Sequence, residues 1–200
     1  MANANVPEIP EGAEELEKQG LSELVKALHE HSDPQVRQYA AYLLGQAKNP
    51  RAIQPLIEAL ADFDKSVREQ ATLALSTIGK AAIEPLAEAM KEPKWETRYR
   101  AAEALGKIAD EKAVQPLIQG LKDSRDHVRY MAAKGLHDLG DSDAVEPLII
   151  LLKDENTYVR LMAVHALGAL GGKKVQKALN KALETEEDEK VKAAITAALQ

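Results

Sequence analysis

The sequence predicts an all-α chain: a right-handed α-α superhelix in which about six helix pairs stack as a solenoid. Three observations carry this. Of 200 residues, 45% are apolar but only 4% aromatic, a balance that suits Ala- and Leu-rich helix packing and leaves little for the aromatic and β-branched strands of a sandwich or barrel. Val36-Arg37, Val67-Arg68, Thr97-Arg98, Val128-Arg129 and Val159-Arg160 set an Arg every 30 or 31 residues, with Val191-Lys192 as a degenerate sixth copy. Between these runs a second phrase: Ala52-Ile53-Gln54-Pro55-Leu56, then Ala82-Ile83-Glu84-Pro85-Leu86, Ala113-Val114-Gln115-Pro116-Leu117 and Ala144-Val145-Glu146-Pro147-Leu148. Two helical phrases alternating on one period describe a stack of helix pairs, A and B.

Residues 1–12, with two prolines, are expected to be a disordered or extended lead, and residues 13–200 a single solenoid domain. The first A helix, around Leu21 to His29, lacks the Pro of its successors. In the fifth copy, Asp143 to Lys153 forms helix A, with Pro147 tolerated in its first turn. Asn156 is an N-cap candidate, and helix B runs from Thr157 to Leu170 before Gly171-Gly172. Asp33 and Asp64 are equivalent caps; Gly79 and Gly140 are equivalent terminators. The B helices are expected over 34–46, 64–78, 95–109, 126–139, 157–170 and 188–199. The last pair also lacks Pro, offering Val175-Gln176-Lys177-Ala178-Leu179, and atypical ends suit a stack whose terminal repeats face water.

The phrase Val-Arg-x-x-Ala-Ala-x-Ala-Leu-Gly-x-Leu-Gly followed by Ala-Val-x-Pro-Leu-Ile resembles the HEAT-like repeat named for phycobilisome lyases, over residues 21–199. The resemblance implies B helices on a concave surface and A helices on a convex one. It implies no single reaction, since such repeats occur in bilin lyase subunits, in assembly factors and in scaffolds. The related deoxyhypusine hydroxylase carries metal-binding His-Glu pairs just after the Arg position. Here Gln38, Glu69, Tyr99, Tyr130 and Leu161 follow the arginines, so that motif is absent.

At about 100° per residue, the residue one before each Arg and those three, six, seven and ten after share one side of helix B. Val159, Ala163, Ala166, Leu167 and Leu170 illustrate this core stripe. The residues two before and one, two, five and nine after fall on the far side, where a groove is expected. That sector holds all five tyrosines, Tyr39, Tyr42, Tyr99, Tyr130 and Tyr158, with Trp95 at its fringe. Tyr and Trp offer rigid contact area with a polar handle. Arg100, His127, Met131, Met162 and His165 complete the expected partner-binding set, the two Met adding apolar area. The repeated Arg is expected to bond an acidic residue or a carbonyl of an adjacent turn. The tract Glu184-Thr185-Glu186-Glu187-Asp188-Glu189 reads as a solvated cap with favourable charge at a helix N-terminus.

A net charge of −6 gives no overall attraction to phosphate backbones or anionic membranes, and Glu103 and Asp138 interrupt the cluster Arg100, Lys107 and Lys134; nucleic acid is not the expected partner. No Cys is present, which is compatible with any redox compartment; no long apolar run occurs and no basic-then-apolar leader opens the chain, so a cytoplasmic setting is expected. No nucleophile motif, phosphate loop or metal-ligand set stands out. The expectation is a non-enzymatic interaction scaffold or assembly factor without cofactor, binding another protein on its B-helix surface. The alternative is a phycobilin lyase or chromophore-chaperone subunit binding a tetrapyrrole and its acceptor protein.

Overall fold

The structure, a computed structural model, describes residues 6–200; residues 1–5 of the expected lead lie outside them. Among the described residues there is helix and turn but no strand. The chain divides into two compact units, one running to Ile108 and the other from Ala109 to Gln200. The first holds α1 (Leu21–Glu30), α2 (Pro34–Gln46), α3 (Ile53–Glu58), α4 (Lys65–Ile78), α5 (Ile83–Ala89) and α6 (Trp95–Ile108). The second holds α7 (Val114–Gly120), α8 (Asp126–Leu139), α9 (Val145–Leu151), α10 (Thr157–Leu170), α11 (Lys173–Leu183) and α12 (Glu189–Ala198). Odd-numbered helices are the A helices and even-numbered ones the B helices, and each A helix packs on the B helix that follows it.

The prolines set the character of the A helices. Helices α3, α5, α7 and α9 are α-helical for only 6 or 7 residues, each preceded by a 3-10 turn. A proline at the third residue of each has no N–H to donate, and its ring crowds the carbonyl four residues back, so the chain enters through tighter i to i+3 bonds. Helices α1 and α11, which lack the proline, run uninterrupted for 10 and 11 residues.

Asp33, Asp64 and Asn156 cap α2, α4 and α10, accepting from the N–H of Gln35, Ser66 and Tyr158 at 2.8, 2.7 and 2.8 Å. Adjacent B helices pack side by side: α2 on α4 and α4 on α6 in the first unit, α8 on α10 and α10 on α12 in the second. Small residues allow this. A Cβ on Gly45 would stand 2.7 Å from the backbone of Ala74, and one on Gly168 would stand 2.9 Å from Ala198.

This side-by-side contact buries flanks of the B helices besides their core stripe. The column four after the Arg, Ala41, Thr72, Ala102, Ala133 and Val164, is at most 1% exposed. Most of the column two after the Arg, about a quarter-turn from the centre of the core stripe, is buried as well, Arg100 being half-buried. Its members Tyr39, Gln70, Met131 and Met162 are 2, 6, 7 and 8% exposed. By the register of Gly45 on Ala74, Gln70 faces α2 and Met162 faces α8.

The repeated arginines behave as expected. Arg37 grips Asp62 with two bonds of 2.9 Å, Arg129 grips Asp154 at 2.6 and 2.8 Å, and Arg160 grips Glu186 at 2.8 and 2.9 Å. Nη1 of each also donates to two carbonyls, five and six residues back. One guanidinium thus ties the turn before its own helix to the turn of the next repeat. The partner lies 25 residues on in the first two rungs and 26 on in the third, where a longer Glu spans the inserted residue. Glu186, expected to be solvated, is therefore a rung with its side chain only 6% exposed. Its neighbour Asp188 is the expected helix-end charge, capping α12 through the N–H of Lys190 and Val191.

Candidate functional site

In the second unit the N-terminal turns of α8 and α10 stand side by side, and between them opens a cleft of ≈ 370 Å³ lined by Asp126, His127, Tyr130, Asn156, Tyr158 and Val159. Three of the expected partner-binding residues, His127, Tyr130 and Tyr158, meet there. Tyr158 is 67% exposed, an unusual state for a large ring, while Tyr130 is half-buried. The polar side is organised around Asp126. Its carboxylate meets His127 Nδ1 at 2.8 Å, accepts the His127 backbone N–H at 2.8 Å, and accepts Asn156 Nδ2 at 2.6 Å. The His127 side-chain bond, with the further donors, holds the Asp126 carboxyl below the usual carboxylate range against the opposing effect of burial. Asn156 reaches Asp126 because its Oδ1 is already committed to capping α10, which aims its amide NH₂ back toward α8.

The cleft therefore offers two phenol rings for stacking, a fixed carboxylate to accept N–H groups, and an imidazole to hold or donate a proton. Asp126 and Asn156 were not among the residues expected in the site. The signal for them was present: both stand in the opening turn of a B helix, where capping chemistry places polar atoms on the rim.

The rest of the expected set is dispersed or buried. Tyr39 is not a recognition residue. Ala13 and Leu16 pack against it, its hydroxyl donates to Glu17, and burial together with that bond pushes its phenol up to about 12. The reason is positional: the segment from Pro10 to Lys18 folds over its flank of α2 as a cover, with Pro10 and Ala13 buried. Tyr42, half-buried, stacks on Tyr39 at 6.0 Å. Met131 and Met162 are likewise corrected to core residues, since their column is a buried flank.

Trp95 and Tyr99 form an edge-to-face pair at 6.5 Å on α6. Arg100 lies over the Tyr99 ring at 5.3 Å and is committed to Glu103 at 2.8 Å and Glu69 at 3.7 Å. Lys107 pairs with Glu103 and Lys134 with Asp138, each at 3.8 Å. His165 is exposed on α10, beyond the cleft. His137, at the column of Gly45 and Gly168, is half-buried with Nδ1 enclosed and unpartnered; it belongs to packing between B helices.

This architecture is matched by the model of the HEAT repeats at residues 21–94, 79–129 and 114–200, and the chain belongs to that family. Within it, the chain is 32% identical over 103 residues to the phycocyanobilin lyase subunit alpha of Picosynechococcus sp. (strain ATCC 27264 / PCC 7002 / PR-6). That match covers 46% of this chain and 38% of the relative, so the chain spans well under half of that protein's length. Among solved structures, it is similar to the complex of CpcE and CpcF of phycocyanin lyase from Nostoc sp. PCC7120, with TM-score 0.69 and 24% identity, covering 76% of this chain and 100% of that one. A designed armadillo repeat protein in complex with the peptide (KR)4 matches with TM-score 0.56 and 22% identity over 90% of this chain and 98% of that one. These likenesses confirm the α-α superhelix. They overturn the expectation of a non-enzymatic chain, because the curated relative is itself named a lyase subunit. No helix among the described residues is long and apolar enough to cross a membrane.

Proposed function

We propose that the chain is a subunit of a lyase that handles a tetrapyrrole of the phycocyanobilin type, working in the cytoplasm with a protein partner. The cleft between α8 and α10 is its proposed chromophore-contacting site. The observation that carries this reading is the convergence of Tyr130, Tyr158, His127 and the Asn156-held Asp126 on one cleft, in a chain related to a phycocyanobilin lyase subunit. A linear tetrapyrrole presents flat rings, pyrrole N–H groups and propionates. Phenol rings suit the first, the Asp126 carboxylate the second, and the His127 imidazole the third. Tyr158 stands ready at the mouth, where its exposed ring can close over a bound plane or meet the protein that receives it.

The test is a titration of the purified chain with phycocyanobilin, followed by visible absorbance. Binding is expected to shift and sharpen the pigment's band. Tyr130→Ala with Tyr158→Ala should weaken it about tenfold or more, since each aromatic contact contributes about 1 kcal/mol beyond its area. Far-UV circular dichroism should stay unchanged. An unaltered pigment spectrum with the intact chain, alone and with its acceptor protein present, refutes the reading.

A further inference from the structure

On the A-helix side of the second unit a groove of ≈ 440 Å³ runs between α9 and α11, with Ile149, Leu152, Ala178 and Ala182 along its floor. The repeat register shows how open it is. The equivalents of Ile149 in α3 and α7, Ile57 and Ile118, are 7 and 8% exposed, whereas Ile149 is only half-buried. Ile150 beside it is 70% exposed, at the position where the other A helices carry Glu58, Glu88 and Gln119.

The rim is basic. Helix α11 carries four lysines and no acidic residue, in a chain whose net charge is −6. Lys174 is paired with Glu146, whereas Lys153, Lys177 and Lys181 make no ion pair among the described residues. An apolar floor between unneutralised lysines fits an acidic segment with a few apolar side chains.

This chain possesses such a segment. From Val6 to Glu17 it carries five Glu and no basic residue. Val6 and Ile9 are 51 and 53% exposed, while buried Pro10 and Ala13 anchor the stretch to α2. Glu8, Glu11 and Glu14 make no ion pair among the described residues. We infer that the Val6–Glu15 stretch of one copy docks in the α9–α11 groove of a second copy, its apolar side chains on the floor and its carboxylates against Lys177 and Lys181. The two surfaces differ, so the contact is heterologous. A stretch this short covers less than standard interfaces do, which makes the association weak and strongly salt-dependent. The inference does not depend on the lyase reading, and it leaves the α8–α10 cleft open.

Sedimentation equilibrium of the full chain tests it. At about 0.5 mM protein in low salt the weight-average mass should rise above 21.8 kDa and return to it near 0.5 M NaCl, where the Debye length falls to about 4 Å. Lys177→Glu with Lys181→Glu should abolish the rise, as should Glu8→Lys with Glu11→Lys. The fourfold variant, carrying both reversals, should associate again. A chain that stays monomeric in low salt overturns the proposal, leaving the groove to a foreign acidic partner. So does association that survives either reversal, or a fourfold variant that remains monomeric while its circular dichroism matches the parent.

Discussion

Lys48 and Ala109 hold φ of 47° and 53°, values that an L side chain adopts at a cost of about 1 kcal/mol. Both stand eleven residues after a repeat Arg, the column occupied in other copies by Gly79, Gly140 and Gly171 at φ of 80°, 66° and 65°. The column is the positive-φ residue that follows each of the first five B helices. Gly79, Gly140 and Gly171 could be read as terminators from the sequence; that Lys48 does the same work against its own preference was hidden behind an ordinary exposed lysine. Lys48→Gly should therefore raise stability by about 0.5–1 kcal/mol, the relief of strain exceeding the added flexibility of the unfolded chain. A rise of a few degrees in Tm, with unchanged circular dichroism, is the expected result; a fall would show that the lysine stem contributes more packing than its backbone costs.

Among the elements, the B helices follow the sequence within one residue at each end, from Pro34–Gln46 to Glu189–Ala198. Their caps and terminators are local chemistry, so they are legible locally. The flanks are different. Tyr39 and Met162 lie outside the core stripe by angle alone, and only α8, for Met162, or the Pro10–Lys18 segment, for Tyr39, makes them interior. Close approach between B helices also explains Gly45, which faces Ala74 at a distance that no Cβ tolerates. Gly45→Ala gains helix propensity of about 1 kcal/mol yet forces α2 and α4 apart, and overpacking of this kind costs about 1–3 kcal/mol. Because the obstructing atoms include backbone, the net expected is a loss, read as a lower denaturant midpoint with unchanged slope. A gain would mean that the two helices separate freely.

At the scale of the whole molecule, the arginine rungs make stability depend on acid. Burial pushes the Asp62 and Glu186 carboxyls up, but the guanidinium of Arg37 or Arg160 and backbone N–H donors outweigh it, and both sit below their ordinary values of 3.8 and 4.5. The folded chain thus binds fewer protons than the unfolded one in this range. The stabilisation is complete above about pH 4.5 and is lost as pH falls through the depressed folded values. With one such rung in each unit, denaturant midpoints for both should fall on going from pH 6 to pH 3. Asp62→Asn and Glu186→Gln should each be less stable at pH 6 and show a shallower acid decline. An acid profile unaltered by these substitutions would place the titrating groups elsewhere.

By itself the sequence determined the helical class, the period, the helix ends and the arginine ladder, because each depends on residues within one repeat or on spacing repeated along the chain. It also concentrated the tyrosines in one sector. Only the tertiary structure decided which of those rings are available. Burial on a B-helix flank depends on what lies alongside, so Tyr39 became interior when the Pro10–Lys18 segment covered it, whereas Tyr130 and Tyr158 were brought to one cleft with Asp126 and Asn156. The groove between α9 and α11 is likewise a tertiary feature: the same residue type at the same repeat position is buried at Ile57 and Ile118 but half-buried at Ile149.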